Sequence, residues 1–397
     1  MLHGAIYEAV LASDKISTHS HHYPDAFFQD ISLNGLLAEA YVSWCGVPVG
    51  ADRAGHAAYL EKVRHKAYFV YLGRAMQALY NMPEPLSVDN WDAYDRAVRA
   101  RYRYPDWRAS VLRERCRYKT SLLDAYWLPG DDGGDRSLFT PVFRIDPYLL
   151  AYDKQRLDHD GNNVWTLHER DFSSADAYLD FFEQTLRGQM QNGRKAIKCA
   201  CAYDRPLRFG APDRTAANRV FQKKDYTKAD EYAFQDYMVD RVCCVAAELG
   251  VPTQWHTGMA CLRETGALPL LGLIERHPDT TFVLFHGSYP WVNETAALLH
   301  NFQNVYADLC WLPILSPTAA VQALHGWLEV ATADKLCWGC DAKIPEESYG
   351  ACIALADVLS TALQQKLDDG YLRQADIAPL LDNILWKNAR RLYRLSI

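Results

Sequence analysis

Thr18-His19-Ser20-His21 begins at the last of residues 15–18, which we predict to form the first β-strand of the chain. In an extended segment, side chains two residues apart point to the same side, so the imidazoles of His19 and His21 can face one point. This spacing suits two ligands of one metal ion. Short histidine pairs also occur in surface loops, so the pair needs support from elsewhere in the chain.

Short apolar runs bounded by turn residues recur along the chain, and most are followed by segments with helical periodicity. This alternation indicates repeated βα units around a parallel sheet. The eight predicted strands are residues 15–18, 121–126, 141–145, 196–201, 252–255, 281–285, 305–309 and 335–338. They predict an α/β fold, a (β/α)8 TIM barrel that forms a single domain over residues 1–397.

Residues 30–116 separate the first two predicted strands and are rich in helix formers and aromatic residues, without strand alternation. We predict a helical insertion on the first βα loop. Such a loop starts at the catalytic face of a barrel, so the insertion could cover the site as a lid or serve as an oligomer contact. We expect a homo-oligomer. The Gly/Asp-rich run 130–135 predicts a flexible loop, and residues 384–395 predict a closing amphipathic helix.

Three more polar residues stand at predicted strand ends: His256, His286 and Asp341. In a barrel the carboxyl ends of the strands converge, so these side chains would meet the two histidines of the first strand. Each residue alone has an ordinary explanation, a hydrogen-bonded core histidine or a helix-capping aspartate. Because all three stand at predicted strand ends, we favour a metal site instead.

These motifs resemble the amidohydrolase superfamily, and in particular its amidohydrolase-2 branch of metal-dependent hydrolases and related decarboxylases. Two phrases, at 286–291 and 338–341, and the chain ending at 384–393 are also similar to that branch. The insertion after the first strand is similar to that of uronate isomerases. The resemblance implies that His19, His21, His256 and Asp341 are metal ligands. It also implies that His286 binds a second metal or orients water.

Neutral imidazoles with one carboxylate suit Zn²⁺, Mn²⁺ or Fe²⁺, and we expect one Zn²⁺ ion. The number of ions depends on Lys198, on the fourth predicted strand, where two-metal members of the superfamily carry a carboxylated lysine. Lys198 could bridge two metals, hold an anionic substrate as an ammonium, or lie on the surface. A single-metal site is preferred.

A loop beyond the fourth strand offers further candidate substrate-binding residues, Tyr203, Arg205 and Arg208. Guanidinium groups can clamp a carboxylate through two hydrogen bonds, although loop salt bridges are an equally good explanation. Arg144, near the end of the third strand, is a candidate of the same type, because an inward-pointing arginine needs a partner. Together with Lys198, these residues predict a small anionic substrate.

The formal charge of −7 gives no basic surface, so nucleic acid is not an expected partner. The 11 cysteines are an odd number scattered through apolar stretches, as in a reducing compartment, and we expect a cytoplasmic protein. No segment has the length and apolarity of a membrane span or of a signal peptide, so no membrane is expected either.

The sequence favours an enzyme that hydrolyses an amide or lactone bond in a small carboxylated substrate. In this hypothesis Asp341 accepts a proton from water and His286 positions the water or serves the leaving group. Decarboxylation and a uronate-type isomerisation are alternatives on the same site, because a fold does not fix the reaction. A binding protein without catalysis is a further alternative.

Overall fold

Parallel strands form the centre of the computed structural model, which describes residues 4–129, 131, 133–172, 174–221, 223 and 225–397. Residues 130 and 132 of the predicted loop lie outside this set, as do residues 1–3 of the predicted domain. In the described chain we number eight strands, the third in two segments. They are β1 Lys15–Ser20, β2 Tyr118–Leu123, β3 Phe139–Pro141 with Phe143–Arg144, β4 Ile197–Cys199, β5 Thr253–Trp255, β6 Phe282–Leu284, β7 Val305–Asp308 and β8 Leu336–Cys337.

Every neighbouring pair of strands is parallel, in the order of the chain. The two segments of β3 join the sheets, because the Val142 N–H donates to β2 and the Phe143 N–H donates towards β4. The barrel closes where the Thr18 N–H donates to the carbonyl of Trp338, at 3.2 Å, and the Asp341 N–H donates to that of His19, at 3.0 Å. The predicted (β/α)8 barrel is confirmed.

The second strand lies three residues earlier than predicted, at Tyr118–Leu123 instead of 121–126. Its first half carries Lys119, the one exposed side chain of the strand, which weakens the apolar pattern there. The shift places Asp124 immediately after the end of β2, whereas the predicted bounds placed it inside the strand.

Helices surround the barrel and fill the segment between β1 and β2, in which the described residues include no strand. One helix, α1 Ala5–Ala12, precedes β1. The insertion contains α2 Leu33–Glu39, α3 Arg53–Val63, α4 Ala67–Leu79, α5 Trp91–Tyr102 and α6 Trp107–Ser110. The remaining helices are α7 Val164–His168, α8 Ala175–Gln191, α9 Arg214–Phe221, α10 Lys228–Leu249, α11 Leu271–Arg276, α12 Val292–Asn301, α13 Leu312–Leu315, α14 Pro317–Val330, α15 Pro345–Asp368, α16 Gln374–Asp382 and α17 Asn388–Leu392.

The insertion has a hydrophobic core of its own, which meets the barrel at Ile344. A buried carboxylate also joins the two parts. Glu346, at the start of α15, accepts hydrogen bonds from the hydroxyls of Tyr80 and Tyr102 and from the indole N–H of Trp107. Since an unpaired buried carboxylate is costly, three donors from the insertion fix its position on the barrel.

The predicted closing helix consists of a π-helical turn, Asn383–Lys387, followed by α17. Its buried residues include Ile384, Leu385 and Ala389, and Tyr393 beyond it is buried as well. The Tyr393 hydroxyl lies 3.0 Å from the side-chain nitrogen of Gln254 inside the barrel, which ties the chain end to β5. Among the described helices, none combines the length and the apolar character that crossing a membrane requires.

Candidate metal centre and active site

The ends of β1 and β8 bring three candidate metal ligands together in a cavity of about 310 Å³. The Oδ1 of Asp341 lies 3.1 Å from the Nε2 of His21 and 3.8 Å from the Nε2 of His19. All three side chains are buried. Closure of the barrel between β8 and β1 makes these residues neighbours, although they are far apart in the sequence.

The contacts of His21 fit a cation beside it and Asp341. The Nδ1 of His21 lies 2.9 Å from the carbonyl oxygen of Asp124, and a carbonyl only accepts, so Nδ1 carries the hydrogen. In the neutral ring, Nε2 then presents a lone pair to a carboxylate oxygen, which is repulsive unless a proton or a metal ion lies between them. The Nδ1 of His19 is a buried nitrogen without a hydrogen-bond partner in the described chain. Two imidazoles and one carboxylate therefore fit a divalent transition metal.

The protonation states of the candidate ligands favour metal binding. Burial lowers the pKa of His19 well below its usual value, so the ring is neutral at neutral pH. Burial by itself raises the pKa of Asp341, but the hydrogen bond and charge of His21, with the charges of His286 and Lys198, outweigh it and lower the pKa to about 2. A metal ion would not have to displace a proton from either group.

His256, the fourth expected ligand, lines the same cavity but lies outside this group of three. Its Nε2 lies 2.7 Å from the carbonyl of Met259, and its Nδ1 lies 2.9 Å from the Nε2 of His286. The Nδ1 of His286 in turn faces the carbonyl of Cys310, at 2.9 Å, and lies 3.7 Å from Asp341. Each ring donates its N–H to a carbonyl. The two nitrogens that face each other therefore carry no hydrogen unless one proton lies between them. Burial lowers the pKa of His256 well below its usual value and that of His286 to about 4, so the pair holds this proton only in acid.

The guanidinium of Arg144 points inward and has the carboxylate partners that such a position requires. Its Nε and Nη2 donate to Asp124, the latter at 2.7 Å, and its Nη1 donates to Asp160 and lies 3.2 Å from His159. Burial alone raises the pKa of Asp124, but the charge of Arg144 outweighs it and holds the pKa below its usual value. Arg144 lines the cavity as part of a buried ionic network.

Lys198 points into the barrel and lines the cavity, so the surface position left open by the sequence is excluded. Its ammonium lies 4.1 Å from the ring centroid of Phe285 and has no hydrogen-bond partner among the residues described. Burial lowers the pKa of Lys198. Tyr203 lines the same cavity as expected, with its ring 4.5 Å from that of His256.

Arg205 and Arg208 do not line the cavity, contrary to expectation. Arg205 is buried, donates to Gln235 and Asp236, and stacks on aromatic rings. Arg208 is exposed and paired with Glu264. These arginines brace the loop after β4, which was the alternative explanation.

The cavity also contains residues that the sequence analysis missed. They come from the insertion and from the βα loops, and comprise Tyr41, Trp44, Tyr126, His159, Asp160, Trp311 and Lys343. His159 is held by Asp204, whose carboxylate lies 2.9 Å from its Nδ1. The short phrase Asp158-His159-Asp160 is the one signal in the sequence that could have indicated a polar cluster there.

Tyr41 brings the insertion into contact with the candidate metal ligands. Its hydroxyl donates to the Oδ1 of Asp341 at 3.1 Å, and its backbone N–H donates to the buried Glu347. Burial raises the pKa of Tyr41 well above its usual value, so the phenol keeps its proton and remains a donor. The insertion therefore supplies a hydrogen bond that orients a ligand.

Tyr41→Phe should weaken metal binding by about tenfold or more, because a hydrogen bond that orients a ligand is lost. Equilibrium dialysis of Zn²⁺ against a competing chelator measures the effect. Tyr68→Phe is the matched control, since Tyr68 stacks on Tyr41 at 5.8 Å and donates no hydrogen bond to Asp341. Equal affinity of Tyr41→Phe and the unmodified protein would contradict the positioning role.

Comparison with known proteins finds a family match in the second half of the chain. Residues 215–395 match the family model described as Amidohydrolase. The predicted resemblance to the amidohydrolase superfamily is therefore confirmed. The matched segment contains His256, His286 and Asp341, whereas the paired histidines of β1 precede it. Protein fluG of Emericella nidulans is 30% identical over 151 residues, which are 36% of this chain and 18% of that protein.

Solved structures share the barrel fold over almost the whole chain. Uronate isomerase from Thermotoga maritima has a TM-score of 0.78 and 13% identity, covering 98% of this chain and 96% of that one. Glucuronate isomerase from Caulobacter crescentus has a TM-score of 0.77 and 15% identity, covering 99% of this chain and 93% of that one. A protein of Lactobacillus casei assigned as a metal-dependent hydrolase has a TM-score of 0.73 and 17% identity, covering 98% and 97%. At such identities the likeness shows the fold alone.

Proposed function

We propose that this protein is a metal-dependent hydrolase that cleaves an amide or lactone bond in a small carboxylated molecule. The observation that carries the proposal is the convergence of His19, His21 and Asp341 in one cavity. The three residues would hold a single divalent ion, for which Zn²⁺ is our first choice. The ion would supply Lewis-acid polarisation of the substrate carbonyl and of the attacking water.

The residues of the chain would then move the protons. Oδ1 of Asp341 faces the two histidines and Tyr41, while no hydrogen bond within the described chain reaches Oδ2, which is free to accept a proton from water. The water oxygen bonds to the carbonyl carbon, the bond to nitrogen or to the lactone oxygen breaks, and the leaving atom takes up one proton. Asp341 can return to it the proton that it accepted from water, and His286 lies 3.7 Å from Oδ2, beside this transfer.

Two other features would favour the reaction. The ammonium of Lys198, unpaired inside the barrel, can stabilise the negative charge that develops on the carbonyl oxygen. Aromatic side chains line the cavity at Tyr41, Tyr126, Tyr203 and Trp311, and they limit the access of bulk water. Hydrolysis uses each of these groups in a distinct role.

Isomerisation of a sugar acid is a second candidate. The likeness to two uronate isomerases, which extends over the insertion as well as the barrel, supports it. In that reaction one group would remove a proton from carbon and return it to the neighbouring carbon. Asp341, or Lys198 in its uncharged form, has the chemistry for this transfer.

Product analysis of the Zn²⁺-loaded protein tests the proposal. The panel should contain N-acyl amino acids, lactones of sugar acids and D-glucuronate, followed by NMR. We expect a new carboxyl group, and a rate that falls by about 100-fold or more when a chelator removes the metal and recovers when Zn²⁺ is returned. An aldose-to-ketose conversion would instead establish the second candidate. Released CO2, or an unchanged rate in the metal-free protein, would refute hydrolysis.

A further inference from the structure

The charges of the cavity are not all accounted for by the candidate metal centre. Of its three cationic side chains, Arg144 is neutralised by Asp124 and Asp160. Lys198 and Lys343 have no carboxylate within 4.0 Å in the described part of the chain. Two ammonium groups without a carboxylate at ion-pair distance in one cavity indicate that it receives negative charge from outside.

Lys343 stands on a platform of aromatic rings at the edge of the cavity. Its Nζ lies 5.5 Å from the ring centroid of Tyr41 and 5.7 Å from that of Trp44, both of which belong to the insertion. Trp311 braces the two rings, with centroids 5.6 Å from Tyr41 and 5.7 Å from Trp44. Ring faces attract a cation within about 6 Å, so they hold the ammonium in place without using its hydrogen-bond donors.

The two lysines stand at different depths. Lys198 is buried on β4 inside the barrel, next to Phe285. Lys343 is half-buried in the segment after β8, beside Trp44, which is 51% exposed. The inner ammonium therefore suits the reacting end of a substrate, and the outer one suits an anionic group at the other end. Trp44 leaves an apolar face at the entrance that such a substrate would cover.

We propose that Lys343 binds the substrate's carboxylate, and that the substrate class is a small acid whose carboxylate lies at the opposite end from the reacting carbon. This inference rests on the proposed function for the location of the reacting end. It assigns the carboxylate to one lysine, which follows β8 and contacts two rings of the insertion, instead of to the predicted arginines. The insertion thereby contributes to substrate selection through Tyr41 and Trp44.

A purely structural role for Lys343 is the competing explanation. In that case its contacts with Tyr41 and Trp44 would only attach the insertion to the barrel. Loss of the ammonium would then lower the stability of the fold and leave ligand discrimination unchanged. Binding and stability must therefore be measured on the same variants.

Calorimetric titration of the Zn²⁺-loaded protein with two pairs of probes separates these roles. D-Glucuronate is compared with D-glucose, which lacks the carboxylate, and glutarate with the uncharged glutaramide. We expect the charged member of at least one pair to bind more tightly. Lys343→Met should weaken its binding by about 30-fold, the effect of one charge-assisted hydrogen bond. Lys343→Arg should restore most of it, and Lys62→Met, an exposed lysine on α3, should change nothing.

The proposal is overturned if neither acid binds better than its uncharged counterpart, or if Lys343→Met binds the acid as well as the unmodified protein does. A lower unfolding temperature of Lys343→Met with unchanged binding would also overturn it, in favour of the structural role. Failure of the proposed function looks different. In that case the lysine-dependent binding persists, but no new carboxyl group forms from any amide or lactone.

Discussion

Replacing Asp341 with Asn should lower turnover by about 1000-fold or more, because in the proposed hydrolase this carboxylate would be both metal ligand and proton acceptor. Asn has nearly the same shape but cannot accept the proton from water. Asp341 adopts a left-handed backbone conformation, with φ of 56°, which Asn tolerates better than most residues. The variant should therefore fold, and its loss of turnover should come from the missing negative charge of Asp341. Turnover and metal content measured on the same sample test this expectation.

Asp240→Asn is the matched control. Asp240 makes the same kind of carboxylate–imidazole contact, 2.7 Å from the Nε2 of His277, but it lies on α10 outside the cavity. This variant should keep both its metal and its rate. A fully active Asp341→Asn variant would refute the assigned role of Asp341. An inactive Asp240→Asn variant would show that a general loss of the fold, and not the site, explains the effect.

The strand-end positions of the candidate ligands could be predicted because local pattern and barrel geometry agree. The pair His19 and His21 depends on strand alternation, and Asp341 depends on the end of an apolar run; both signals are local. Convergence of parallel strands then supplies the long-range contact. The inward direction of Lys198 follows from the same periodicity, but a shift of one residue would have reversed it.

The rest of the site depends on tertiary contacts that have no local signal. Asp124 was missed because a boundary error of three residues placed it inside the second strand. Arg205 was assigned to the substrate because a sequence does not reveal that Gln235 and Asp236 would satisfy it. Tyr41 lies in an insertion whose helices pack by their own core, so its approach to Asp341 depends on how the insertion lies on α15.

Arg144→Met should destabilise the protein by about 3–5 kcal/mol at pH 8, because it leaves the carboxylate of Asp124 buried without its partner. Asp124 is 1% exposed and accepts hydrogen bonds from both Nε and Nη2 of Arg144. Met retains much of the volume of the arginine stem, so the effect comes mainly from the unpaired charge. Chemical unfolding of the metal-free proteins measures it.

The pH dependence of this loss identifies its cause. In the unmodified protein Arg144 holds the pKa of Asp124 below its usual value, so the ionised carboxylate stabilises the fold above the unfolded-state pKa. Without Arg144, burial raises that pKa above the unfolded value, and the charged group destabilises the fold until falling pH protonates it. The difference in the free energy of unfolding between the unmodified protein and Arg144→Met should therefore narrow from pH 8 to pH 5. The buried neutral histidines lower the stability of both proteins as pH falls below their unfolded pKa. Arg144 also helps to lower the pKa of His19, so its removal eases this effect and narrows the difference in the same direction.

Arg214→Met provides the comparison on the surface. Arg214 donates to Asp176 through Nε and Nη2, as Arg144 does to Asp124, but both partners are more than half exposed. Water replaces the lost partner there, so stability should not change measurably at either pH. If the loss in Arg144→Met were the same at pH 8 and pH 5, it would have to come from packing. The ionic network behind the candidate metal centre would then contribute little to the fold.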